Sequence, residues 1–278
     1  KDIKLAKIER GLRLIDSHCH LDFKDFENDL PHVLARAGAA GVFRVLTIST
    51  SLRELAKLIS IAESYPAIYC TAGVHPHNAQ NEGVNDPQKI VNELEHKKII
   101  GIGESGLDFH YDFSDIDCQR KNFICHIEAS RTTGLPLIIH SRAADDEMCA
   151  ILQNEQKKGE FSFILHCFTG GQKLADIAIE LGGFISVSGI ITFKNASDLR
   201  SVIKTVPIER LLIETDAPYL SPVPFRGARN EPANLIYTFD ELLKIKECSQ
   251  EELAFHTTDN FLRLFTKMPK SDTSIEKN

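Results

Sequence analysis

The strongest constraint in this sequence is a rhythm. Short runs rich in Ile, Leu, Val and Phe alternate with amphipathic stretches, at residues 12–16, 43–48, 68–74, 99–103, 137–140, 163–167, 184–187 and 211–215. Each run is about strand length. Apolar runs separated by helical stretches are the sequence form of repeated βα units, whose strands lie parallel and are buried on both faces. Eight such units close the sheet on itself, so the expected fold is a (β/α)8 TIM barrel. A chain of 278 residues suits one barrel. No linker, composition break or repeat beyond the βα alternation divides it. Residues 1–266 are therefore read as a single domain and the polar stretch 267–278 as a disordered tail.

Helix signals fill the intervals. Ser51 with Glu54 forms a capping-box pattern ahead of Leu55, Leu58, Ile59 and Ala62 at helical spacing. Asp86 and Pro87 give a cap and a first-turn proline before Ile90, Val91 and Leu94, and Ser249 with Glu252 repeats the box before the last helix. With 42% hydrophobic and 26% charged residues the chain can build its core without disulfides. The seven cysteines are odd in number and form no CxxC pair, which fits a reducing compartment. No run approaches the ~18 apolar residues of a membrane span, and the first ten residues lack a signal-peptide core. The expected location is cytoplasmic, with no membrane partner. A net charge of −7 argues against a broad basic face that coats nucleic acid. It leaves room for a local anion site, because a bound cation is the largest charge in its surroundings.

In a parallel barrel the side chains at the C-terminal ends of the strands gather at one mouth. His18 and His20 stand one residue apart at the end of the first run, and the two-residue pleat points both imidazoles to one side. That is a metal-ligand spacing, although two polar residues closing a strand would explain the pair in isolation. The same ending recurs as Glu104 in IGIGESGLD, His140 in LPLIIHSR, His166 in FILHCF and Asp216 in LLIETDAPYL. A lone histidine after a strand is more often structural than a ligand, but six ligand-type residues at one barrel face are hard to obtain by chance. Such a set can hold two divalent ions, bridged by the Glu104 carboxylate. Two ions suit phosphoryl chemistry, one polarising non-bridging oxygens while the other activates a water whose proton Asp216 can take. Glu104 and Asp216 are thus candidate catalytic residues as well as ligands. Imidazoles favour Zn and carboxylates favour Mg or Mn, so the ligand list leaves the metal open among these.

Candidate substrate contacts flank this set. Arg226 and Arg229 sit on the Pro-stiffened loop after the eighth run, and guanidinium forks match phosphate oxygens, the alternative being pairing with Glu231 or Glu209. His75 and His77, in GVHPH after the third run, face the same mouth and could touch substrate, or else cap and pack a helix. His32, His96, His126 and His256 fall in helical stretches and read as core or surface residues. Cys19 and Cys167 should point away from their histidine neighbours and pack. Gly170 and Gly171 mark a loop that falls short of a GxxxxGK phosphate cradle.

Taken together, DSHCHLDF, GVHPH, IGIGESGLDF, IIHSRAADD, LHCFTG, SVSGIITFKNA and LLIETDAPYLSPVPFRGARNEP closely resemble the motifs of the TatD-type metal-dependent DNases, in family order, over about residues 14–265. The resemblance implies a TIM barrel of the metallo-hydrolase superfamily with His18, His20, Glu104, His140, His166 and Asp216 as metal ligands. It also implies DNA as substrate, magnesium dependence and 3′-to-5′ exonuclease activity. The chain departs from many relatives at Phe225, where they carry His, and at His126, where they often carry Gln; neither touches a candidate ligand. The enzymatic alternative is a metal-dependent amidase or lactonase of the same superfamily. Those enzymes commonly bridge their metals with a modified lysine on strand four, whereas here that strand ends in Glu104 and Lys97 and Lys98 precede it. The non-enzymatic alternative is a barrel serving as a binding module, which the full set of ligand-type residues disfavours.

Overall fold

Eight parallel strands form one sheet in sequence order in the computed structural model, which describes residues 11–269. They are β1 (Leu14–Cys19), β2 (Val42–Thr47), β3 (Ile68–Ala72), β4 (Ile99–Asp108), β5 (Leu137–Arg142), β6 (Phe163–Leu165), β7 (Phe184–Val187) and β8 (Leu211–Ile213). Between β8 and β1 the seam is joined by the Asp216 N–H on the His18 carbonyl (2.8 Å), the His20 N–H on the Ala217 carbonyl (2.8 Å) and the Ser17 hydroxyl on the Ile213 carbonyl (2.9 Å). The result is the (β/α)8 barrel that the eightfold rhythm dictates.

The helices return the chain between strands: α1 (Leu30–Ala39), α2 (Leu55–Ser64), α3 (Ala79–Glu82), α4 (Gln88–Glu93), α5 (Ile116–Thr133), α6 (Asp145–Lys158), α7 (Gln172–Glu180), α8 (Ser197–Thr205), α9 (Leu235–Lys246) and α10 (Gln250–Leu264). One apolar layer lies between strands and helices, with Val45, Leu58, Ile68, Phe123, Leu152 and Phe239 in it. A second, separate cluster joins Ile15, Leu46, Ile100, Ile138, Ile164, Phe184 and Leu212 of the strands, with Ile48 just past β2, to Phe261, Leu264, Phe265 and Met268. The end of α10 thus stoppers the sheet with apolar side chains, and polar groups are left to the opposite, C-terminal mouth.

Strand ends differ from the sequence expectation in a way that matters for the site. β1, β4 and β5 run further than expected, so His18, Glu104 and His140 lie inside strands, whereas β6 and β8 stop early and leave His166 and Asp216 on the following turns. Register shifts between Asp16 and Cys19 in β1, and between Ile102 and Ser105 in β4, let pairing resume beyond the functional side chain. A bulge re-aims a side chain without ending the strand. Gly106 makes the continuation possible. It pairs with His140, has φ +150°, and a Cβ there would lie 2.0 Å from the His140 carbonyl oxygen.

Caps follow the sequence in part. Ser249 Oγ accepts the Glu252 N–H at 3.1 Å, as the box pattern requires. Ser51 caps a short 3-10 turn instead: its hydroxyl accepts the Arg53 N–H and donates to Glu82 Oε2 at 2.6 Å, and Glu82 Oε1 takes the Leu52 N–H. A distant glutamate thus takes up first-turn N–H groups, and Glu54 does not close the box. The tail expected from residue 267 is ordered at its start, because the Lys267 ammonium bonds the Leu94 and His96 carbonyls and Met268 is buried; residues 270–278 lie outside the described residues. All seven cysteines are free, and no helix among the described residues is long and apolar enough to cross a membrane.

The stopper can be tested directly. Phe265 is 1% exposed and its ring lies 4.4 Å from that of Phe261, tilted by 31°. Replacing a buried Phe by Ala typically costs about 3–5 kcal/mol. Phe265→Ala should therefore lower the urea midpoint by a matching amount at unchanged m-value, and a loss below about 1 kcal/mol would show that this end of the barrel repacks freely.

Candidate metal centre

Glu104 lies at the centre of the mouth, 2% exposed, with imidazoles at both oxygens. Its Oε1 is 2.7 Å from His166 Nε2, 2.9 Å from His140 Nδ1 and 3.3 Å from His75 Nε2. Its Oε2 is 3.2 Å from His18 Nε2 and 3.8 Å from His20 Nε2. Asp216 Oδ1 completes the group at 3.3 Å from His20 Nε2 and 3.6 Å from His18 Nε2. All six residues named as ligands from the sequence are therefore brought together. Asp216 adopts φ +55°, a left-handed conformation that a non-glycine residue adopts at a cost of about 1–3 kcal/mol and that clusters at functional positions. The loop that holds it is fastened by the fully buried Asn230, whose amide donates to the Thr215 and Tyr219 carbonyls at 2.9 and 2.7 Å.

Several polar atoms here are buried without a hydrogen-bond partner: both ring nitrogens of His18, Glu104 Oε2 and Glu214 Oε2. His18 Nε2 and Glu104 Oε2 are close but not aligned for a bond. Each such atom left unsatisfied costs about 1–3 kcal/mol. A set of lone-pair donors with nothing to donate to them fits a cation. Three triads have ligand atoms within 4.8 Å of one another: His18, His20 and Glu104; His75, Glu104 and His140; His18, His166 and Glu214. Soft imidazoles mixed with hard carboxylates accommodate several divalent ions.

The protonation balance points the same way. Burial alone would raise the Glu104 carboxyl, but the charges of His166, His75 and His18 hold it well below the usual range. Burial, with His166 beside it, pulls His18 down, and burial pulls His75 down to about 4. His20 is raised, because the hydrogen bond and charge of Asp216 outweigh its burial. The bonds to Asp108 and Glu104 do the same for His140, and the charges of Glu104 and Glu214 for His166. Asp216 is lowered despite burial, chiefly through His20. Ionised carboxylates are thus matched by protons on some rings, and a cation would displace those protons.

Three contributors are absent from the sequence-derived ligand set. His75, expected to touch substrate, stands against Glu104 instead. Glu214 Oε1 is 3.2 Å from His166 Nδ1, behind the His18 and His166 rings, which stack at 3.8 Å. Asp108 Oδ2 lies 2.9 Å from both His140 Nε2 and His77 Nε2. Signals existed for two of them: Glu214 precedes Asp216 by two residues as His18 precedes His20, and Asp108 follows Glu104 by four in the same segment. Carboxylates behind ligand imidazoles orient the ring and fix its tautomer.

Other side chains position the machinery from behind. His126, on α5, accepts the Val74 N–H at Nε2 (2.9 Å) while Nδ1 donates to the Asn122 carbonyl (2.7 Å). Burial pushes it down to about 4, so it stays neutral and structural as expected from its helical position. Gln119 brackets Asp108, accepting its N–H at 2.8 Å and donating to its carbonyl at 3.1 Å. Asp16, fully buried and raised to about 7 by that burial, accepts the Thr215 N–H (2.9 Å) and hydroxyl (2.5 Å) across the seam.

The arginines are placed otherwise than a phosphate clamp requires. Arg229 spends its fork on Asp29, with both contacts at 2.8 Å, and lies 5.1 Å from the Phe26 ring centroid. Arg226 rests on the Phe193 ring at 3.7 Å. A loop stiffened by prolines needs an anchor, and the acidic residue opposite supplied one. Arg142, exposed at the end of β5 and 4.8 Å above the Tyr111 ring, is the cation paired to the Asp108 strand position.

Comparison with known proteins agrees with this arrangement. The family model described as TatD related DNase matches residues 15–266. The metal-dependent hydrolase YcfH of Escherichia coli is 40% identical over 257 residues, spanning 91% of this chain and 95% of that protein. The metal-dependent hydrolase YabD of Bacillus subtilis is 38% identical over 252 residues, spanning 91% of this chain and 98% of that protein. The crystal structure of YJJV, a TatD homologue from Escherichia coli, superposes with a TM-score of 0.85 at 30% identity, covering 92% of this chain and 99% of that one. With its barrel, its histidine-and-carboxylate mouth and a family match over most of its length, the chain belongs to the TatD family of metal-dependent hydrolases.

Proposed function

We propose that the protein is a deoxyribonuclease that hydrolyses DNA phosphodiester bonds, removing nucleotides from the 3′ end, with two divalent ions held at the mouth. The observation that carries this reading is the Glu104 carboxylate with imidazoles at each of its two oxygens, which suits a bridge between two ions. His18, His20 and Asp216 would serve one oxygen's side, and His140, His166 and His75 the other. Mg, Mn or Zn held there would supply Lewis acidity, drawing charge from a phosphoryl oxygen and making water a nucleophile near neutral pH.

The chain's own groups supply the rest. Asp216 is ionised and is the least enclosed of the cluster's carboxylates, its side chain 13% exposed against 2% for Glu104, so it can accept the proton of a water arriving from the mouth. Glu214 and Asp108 hold His166 and His140 in orientation, leaving the other ring nitrogen toward Glu104. His77, part exposed beside Asp108, can approach a substrate phosphate, and the Arg142 guanidinium is exposed two residues beyond His140. The amidase or lactonase alternative lacks its usual bridge, since β4 presents Glu104 to the cluster and Lys97 and Lys98 precede the strand.

Two measurements test this. Chelation with EDTA should abolish cleavage of end-labelled oligonucleotides and one or more of Mg, Mn and Zn should restore it; undiminished cleavage in chelator would sink the metal-dependent reading. Separately, Asp216→Asn keeps size and one oxygen but loses the proton-accepting charge. Single-turnover cleavage should fall by about 10²- to 10⁴-fold with metal content nearly retained, whereas Glu104→Gln should lose metal, measured by elemental analysis, as well as rate. Wild-type cleavage by metal-loaded Asp216→Asn would remove Asp216 as the base.

A further inference from the structure

Large apolar side chains left exposed in a folded chain concentrate where something binds. Among the described residues six are exposed, and Tyr111, Phe113 and Ile116 fall together where β4 leads into α5. Tyr111 and Phe113 are 41% and 60% exposed, and their rings stack at 5.3 Å with an interplanar angle of 29°. The backbone that presents them is pinned. Asp108 Oδ1 accepts the His110 and Tyr111 N–H groups at 3.0 and 3.1 Å, and Ser114 Oγ donates to the His77 carbonyl at 2.8 Å. The Arg142 guanidinium lies over the Tyr111 ring.

This platform adjoins the metal centre through a single ring. His77 is 4.8 Å from the Phe113 ring and shares Asp108 Oδ2 with His140, which in turn touches Glu104. We propose that Tyr111 and Phe113, with Arg142 over the Tyr111 ring, seat a nucleobase of the DNA strand whose phosphodiester lies over the metal centre. The assignment rests on the nuclease reading above. Exposed aromatic surface stacks any base without reading its identity, and the guanidinium over Tyr111 adds a cation for the base face or the adjoining phosphate. A rigid, partly preformed seat also lowers the ordering cost of holding a flexible strand near the reacting centre.

The test is a cycle between protein and substrate. Wild-type holoenzyme and a Tyr111→Leu, Phe113→Leu double variant, which keeps apolar bulk but loses the flat rings, are assayed on a short single-stranded oligonucleotide. The same strand is then used with an abasic site at each position flanking the cut in turn. Wild type should lose about 5- to 100-fold in kcat/KM, mainly through KM, at one abasic position, the range expected for one base stacked on an aromatic face. The double variant should show that loss already on the intact strand and little more on the abasic one, and Tyr111→Phe should restore wild-type behaviour. Losses that simply add, or wild-type cleavage indifferent to every abasic position, would overturn the base seat alone. Failure of wild type to cut any oligonucleotide would overturn the nuclease reading and the seat with it.

Discussion

The structure turns on one buried carboxylate. Glu104 is nearly inaccessible to water, yet it stays ionised because imidazoles approach both of its oxygens. A carboxylate in such a place is expensive unless charge and hydrogen bonds compensate it. Here the compensation is incomplete: Glu104 Oε2 and the His18 ring are left without partners. The cluster is therefore a poor set of internal bonds and a good set of ligands, and its cost is borne by the rest of the barrel.

The barrel bears that cost at its other end. An apolar stopper from α10 fills the space between the strands, while the mouth is given over to polar groups. Between the two, the seam at β1 and β8 does structural and functional work with the same atoms: the Asp216 N–H that closes it on His18 also sets the carboxylate beside His18 and His20. Behind the clustered side chains stands a ring of supports, Glu214 to His166, Asp108 to His140, and Asn122 and His126 to the β3 turn that carries His75. Such supports orient ligands and tune them, so the site extends well past the atoms that would touch a metal.

The rim is built differently. Arg229 fastens the β8 loop to Asp29 and Arg226 covers Phe193, so this part of the mouth is stiffened by cations used internally. On the opposite side aromatic rings are displayed on a pinned turn, with Arg142 over one of them. The mouth thus joins a charged centre to an exposed aromatic shelf.

The sequence by itself determined the barrel and which ligand-type residues meet at its mouth, because both follow from local periodicity: apolar runs at βα spacing fix a parallel sheet, and polar residues near the strand ends must converge at one mouth. His18, His20, Glu104, His140, His166 and Asp216 were legible on those grounds, as was the neutral, structural His126. Tertiary structure alone decided what a residue at the mouth turns toward. Bulges in β1 and β4 break the two-residue count, so the pleat could not say how far each strand runs past its ligand or that Asp108 would stand behind His140. Glu214 and Asp216 share one short segment, yet one lies behind a ring and the other at the opening. Arg229 faced a choice between a phosphate and Asp29, and Asp29 lies 200 residues away along the chain. Long-range pairing of that kind depends on which loops the closed barrel brings side by side, and no local pattern encodes it.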